Sequence, residues 1–136
     1  MEHVDRRTAL IGLAVTATAV PIGQAVAQSS GAPRGDEIAP GVRSVRYPKT
    51  ETMIPNYKTI SMRDLIYQPG TGTSSSAMEN DMVCHVLEGE LTVDTGHGSH
   101  LYKKGDLWGC AKGMPEHSKN NGSAVAIMRV IDLLPS

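Results

Sequence analysis

Between Tyr57 and Leu134 the chain is a succession of short apolar runs: YKTISMRDLIY, MVCHVL, ELTVDT, SHLYKK, DLWGCA and AVAIMRVIDLL. Breaks of Gly, Asn, Asp and Pro separate them. Strands this short at this spacing belong in an all-β sandwich or barrel. The last run alternates, with Val125, Ile127, Arg129 and Ile131 on one face and Ala124, Ala126, Met128 and Val130 on the other. Its β-branched members oppose the helix that Ala and Met would favour. Both faces are mostly apolar, so the strand is expected to be covered on each side, as when a small barrel forms a homodimer. With no Phe, one Trp and four Tyr, the core has to come from Val, Ile, Leu and Met, and the branched members of that set suit strands.

The front of the chain has a different character. Arg6-Arg7 precedes the apolar segment LIGLAVTATAV, then Pro21, and Ala25-Val26-Ala27 stands before Gln28. That order of charged, apolar and small-residue regions predicts a signal peptide over 1–27. The paired arginine resembles the twin-arginine type of bacterial export signal. The apolar segment is about half of the roughly 20 residues that a bilayer span needs, so no permanent membrane anchor is expected, and the mature chain is expected to be periplasmic or secreted after cleavage near Ala27. Residues 28–56, rich in Ser, Gly and Pro, read as an N-terminal arm with little core of its own. That leaves 57–136 as a single barrel domain. Thirteen Lys+Arg against 14 Asp+Glu give a net charge of −1, which is no footprint for nucleic acid.

Val86-Leu87-Glu88-Gly89-Glu90-Leu91, then Gly105-Asp106, Gly113 and the pair Asn120 and Gly122, stand in an order that resembles the cupin superfamily over about the last 80 residues. Two motifs mark that family, HxHx(3,4)Ex(6)G and GDx(4)PxGxxHxxxN. The resemblance implies a jelly-roll β-barrel whose interior holds a divalent metal on three His and one Glu. Matched residue by residue, the glutamate position is Met82 and the first two histidine positions are Ser76 and Met78, or Ser75 and Ala77 with the longer spacing. In the second motif the proline position is Ala111 and the histidine position is Glu116, with His117 one residue late. The chain therefore keeps the glycines of the family and departs from its ligands.

If Met82 points inward, strand alternation turns Cys84 inward and His85 outward. Cys110 is expected to turn inward by the same count. Met82, Cys84, Cys110, Glu116 and His117 then form a candidate soft-metal set for copper, zinc or iron, since thiolate and thioether ligands select such ions. The alternative is that Met78, Met82 and the two cysteines fill an apolar cavity. Glu116 and His117 are candidate general bases for a bound small molecule, or else loop residues in solvent. Trp108 is a candidate stacking surface for a ligand or cofactor, against the commoner role of packing in a core or interface. The two cysteines could instead form a disulfide, which would withhold their thiolates from a metal. His97 and His100 sit in a Gly-rich turn and read as solvated.

There is no phosphate loop, G-x-S-x-G elbow, CxxC pair or HExxH motif, so nucleotide and classical hydrolase chemistry lose support. The functions left open are an exported barrel binding a small molecule or a soft metal, an isomerase, lyase or oxygenase using Glu116 and His117, and a barrel that acts by pairing with another protein.

Overall fold

A computed structural model describes residues 34–135. The export signal expected at 1–27 lies outside them. Eleven strands succeed one another, with no helix among the described residues. They are β1 (Asp36–Ala39), β2 (Val42–Arg46), β3 (Thr50–Glu51), β4 (Thr59–Tyr67), β5 (Ser76–Ala77) and β6 (Asp81–Glu88). Then come β7 (Glu90–Asp94), β8 (Ser99–Lys103), β9 (Leu107–Cys110), β10 (Pro115–Lys119) and β11 (Ala126–Leu134). The larger sheet has seven strands in the order β1-β2-β4-β11-β6-β9 with β3 added to β4, and the smaller has four in the order β5-β10-β7-β8. Every pairing is antiparallel. This is the single-domain all-β jelly roll that the apolar runs and the glycine pattern predict.

Period-two alternation decides which residues meet between the sheets. On β11, Ala126, Met128, Val130 and Asp132 are buried, as are Met82, Cys84 and Val86 on β6 and Leu91 and Val93 on β7. These pack with Val42, Leu65 and Tyr67 into one core. The opposite phase of β11 faces outward, where Ile127, Arg129 and Ile131 lie across from Ile66, Asp64 and Met62 of β4.

The arm boundary at residue 57 needs correction. β2 pairs with β4 from Val42↔Tyr67 to Arg46↔Arg63, and Val42 is wholly buried in the core. The barrel therefore begins before residue 42. The alternation in VRSVR is the signal for this strand, and the surrounding Ser, Gly and Pro obscure it.

Several of the residues that carry the cupin resemblance have scaffold roles. Gly89 ends β6 at φ +72°, a region that favours glycine, and a Cβ there would stand 2.7 Å from the Val125 carbonyl oxygen. Its bareness lets the β6–β7 hairpin close against the start of β11. Asp106 caps its own turn by accepting the Lys103 N–H at 2.7 Å. Gly105 N–H donates to the Val86 carbonyl at 2.8 Å, tying that turn to β6. Asn120 is fully buried. Its Nδ2 donates to the carbonyls of Tyr67 at 3.1 Å and Ala124 at 2.8 Å, while its Oδ1 accepts the Gly122 N–H at 2.9 Å.

One ion pair belongs to the outer face of the larger sheet. Arg129 donates from Nε to Asp64 Oδ1 at 2.7 Å and from Nη2 to Oδ2 at 2.8 Å, and Tyr47 Oη donates to the same Oδ2 at 2.7 Å. The guanidinium also lies 5.5 Å from the centre of the Tyr47 ring. Burial alone would raise the Asp64 carboxyl, but the hydrogen bonds from Arg129 and Tyr47 outweigh it and hold the group below the usual carboxylate range.

Candidate functional site

The strand that carries the site has no large apolar residue. β10 reads Pro-Glu-His-Ser-Lys, yet it lies between β5 and β7. Its inward phase is Glu116 and Ser118, 7% and 3% exposed. His117 lies across from Asp94, whereas Ser118 lies across from buried Val93. In a strand of period two, a residue one place late points to the other face. His117 is therefore removed from both the metal set and the catalytic pair proposed from sequence, and Glu116 stands without it.

Glu116 is held from one side. Its Oε2 accepts the Trp108 indole N–H at 3.1 Å and the Cys110 thiol at 3.1 Å. Among the described residues no donor reaches Oε1 within hydrogen-bond distance. Trp108 stacks on Tyr102 with ring centroids 4.0 Å apart and planes 17° from parallel. One face of the indole is thus covered and its N–H is committed to Glu116. Trp108 does not line the cavity in front of Glu116, and its hydrogen bond orients the carboxylate.

A cavity of about 320 Å³ opens between the sheets in front of this carboxylate, with Ser76, Met78, Met82, Glu116, Tyr67 and Arg63 in its wall. Ser76, Met78, Met82 and Glu116 are the four positions at which the cupin resemblance implies metal ligands. All four gather here, and one of them carries a carboxylate or imidazole. None of the four described histidines lines this cavity. Among the described residues no three His, Cys, Asp or Glu side chains stand together as a metal-holding group.

The soft-metal alternative meets a second obstacle. Cys84 and Cys110 are free, buried thiols, and they pack in the core rather than in the cavity wall. The adjacent Cys110 side chain, burial and the charge of Glu116 all push the Cys84 thiol upward, away from the thiolate that a metal needs. Met82, Cys84, Cys110 and Glu116 do come close to one another, but as filler around one oriented carboxylate. The residues present do not fit a divalent cupin metal.

Two features of the interior are not marked by any motif. Tyr67 Oη and Ser118 Oγ share a hydrogen bond of 2.7 Å from one sheet to the other, and burial pushes the Tyr67 hydroxyl up to about 12. Arg63 and Asp132 form an ion pair, Nε to Oδ2 at 3.0 Å. Both are charged residues in the inward phase of a strand. That phase is the sequence signal for them, since Asp132 continues the series Ala126, Met128 and Val130.

Comparison with solved structures agrees with this architecture. An RmlC-like cupin from Shewanella frigidimarina shares 14% identity at a TM-score of 0.59, over 74% of this chain and 82% of its own. KdgF from Halomonas sp. shares 11% identity at a TM-score of 0.58, over 72% of this chain and 84% of its own. The Cupin_2 domain of an XRE family transcriptional regulator from Enterobacter cloacae shares 15% identity at a TM-score of 0.58, over 71% of this chain and 99% of its own. At such identities the likeness establishes the cupin fold. No family model and no curated protein matches the sequence. The neighbours include a domain of a transcriptional regulator beside free-standing cupins, and a shared fold leaves the function to be argued from the cavity.

Proposed function

We propose that this cupin-fold barrel binds a small organic molecule in an interior cavity without a resident metal, using Glu116 as the acceptor of a hydrogen bond or a proton from the ligand. The convergence of the four ligand positions on one cavity, with Glu116 as their one remaining carboxylate, carries this reading. Trp108 and Cys110 both bind Oε2, which leaves Oε1 for a guest. A fixed carboxylate in a confined site can also take a proton from an acidic C–H or O–H, the step on which isomerisations and eliminations turn.

The test pairs native mass spectrometry with elemental analysis on protein recovered from a native-like host. The wild type is expected to carry a co-purifying organic ligand. Glu116→Gln, which keeps the shape of the side chain, should keep its melting temperature while losing about tenfold or more in affinity for that ligand, the scale of a hydrogen bond to a charged group. About one copper, zinc or iron per chain would overturn the metal-free reading.

The reading extends to location. Arg6-Arg7 and the Ala25-Val26-Ala27 site support export through the twin-arginine route. N-terminal sequencing of the periplasmic or secreted protein is expected to begin at Gln28, and Arg6→Lys with Arg7→Lys is expected to leave precursor in the cytoplasm. Periplasmic protein that still begins at Met1 would remove the cleavage proposal.

A further inference from the structure

Beyond the cavity in front of Glu116 lies a second, wider one of about 470 Å³. The two share Arg63, Ser76, Met78 and Met82 in their walls, so the wider space adjoins the one that Glu116 lines. Taken as the mouth of the site, the wider space has an unusual arrangement of charges.

Arg46 and Arg63 are direct cross-strand partners on β2 and β4, and both line the mouth together with Lys49. Like charges directly opposite one another in a sheet destabilise it. Asp132 answers Arg63, taking Nε at 3.0 Å and Nη2 at 3.4 Å. Glu79 also lines the mouth, but among the described residues no carboxylate stands within ion-pair distance of Arg46 or Lys49. Among the described residues, two cations thus face the opening without a counter-ion, beside a guanidinium whose Nη1 has no partner there.

We infer that the ligand is a small organic acid with two differently recognised ends. Its carboxylate lies at the mouth against Arg46, Lys49 and Arg63, and a hydroxyl or other hydrogen-bond donor at its inner end reaches Glu116 Oε1. This rests on the reading of Glu116 given above and adds the charge of the ligand to it. The anion relieves the repulsion between the opposed arginines, and the guanidinium geometry of Arg63 suits a carboxylate. A wholly anionic guest would be repelled by Glu116, so a donor at the inner end is part of the requirement.

The experiment titrates the full chain with lactate and 4-hydroxybenzoate, and with the neutral twins lactamide and 4-hydroxybenzamide, while following backbone amide resonances. At least one acid is expected to give saturable shifts at residues 46, 63, 78 and 132, with its amide binding about tenfold weaker or more. Arg46→Gln combined with Lys49→Gln, both solvent-exposed positions, should abolish that preference without altering the spectrum of the interior. Salt should weaken the acid and leave the amide unchanged.

Equal affinity for acid and amide, a preference that survives the double variant, or no binding of either acid at tens of millimolar would each overturn the inference. The reading of Glu116 fails separately, by a co-purifying ligand whose affinity is untouched in Glu116→Gln. A neutral co-purifying ligand that is lost in Glu116→Gln would keep that reading and sink the organic acid.

Discussion

Asn120→Ala is expected to lower the free energy of unfolding by about 3–5 kcal/mol, the scale of several buried polar groups left unpaired. The amide serves three backbone groups at once: the carbonyls of Tyr67 and Ala124 and the N–H of Gly122. Asn120 is wholly buried, so water cannot simply replace it. The loss should appear as a fall in the urea midpoint at unchanged slope. Asn120→Asp separates the two halves of the role, because a carboxylate still accepts from Gly122 but cannot donate to either carbonyl. It is expected to be no better than Ala at neutral pH, since it also buries a charge. An Ala variant within 1 kcal/mol of the wild type would show that the turn after β10 closes without this side chain, a threshold well below the usual effect of orphaned buried groups.

Asp64→Ala is expected to cost about 2–3 kcal/mol at neutral pH. Breaking a buried ion pair costs about 3–5 kcal/mol, and the partial exposure of Arg129, whose side chain is 32% accessible, reduces that. The effect has a definite pH sign. The folded state holds the Asp64 carboxyl below its ordinary value, so its contribution is present above the unfolded value of about 3.9 and is lost as pH falls through the lowered folded value. Urea unfolding at pH 7 and near pH 3 should therefore show the difference between wild type and Asp64→Ala narrowing in acid. A difference that is constant across that range would assign the cost to packing with Tyr47 rather than to the ion pair.

Strands with apolar faces were legible in the sequence, and so were the four positions that gather at the cavity, but the facing of the β10 side chains was not, for one physical reason. β4, β6, β7 and β11 declare themselves through Val, Ile, Leu and Met in alternation. β10 holds Pro115, Glu116, His117, Ser118 and Lys119, with no side chain that would identify a strand by hydrophobic burial. Its structure comes from pairing with β5 and β7, partners that are remote in sequence. Without knowing that segment to be a strand, Glu116 and His117 look like neighbours sharing a pocket. Once it is a strand, they face opposite ways. The cysteines show a milder form of the same limit: alternation turned Cys84 inward correctly, but the difference between a cavity wall and the packing behind it depends on how the two sheets approach. Arg63 and Asp132 were visible only as charges in an inward phase, and their pairing across β4 and β11 spans 69 residues.

The place of β11 in the sheet also sets the order in which the molecule can be completed. It stands between β4 and β6, and among the described strands it is the last to be synthesised. Until it emerges, the larger sheet exists only as two unconnected fragments, β1 to β4 on one side and β6 with β9 on the other. Joining them requires contacts between residues as distant as Thr59 and Leu134, the kind of long-range closure that makes folding slow. A ribosome-bound chain therefore cannot finish its barrel residue by residue, and the step that unites the sheet comes after translation has passed β11.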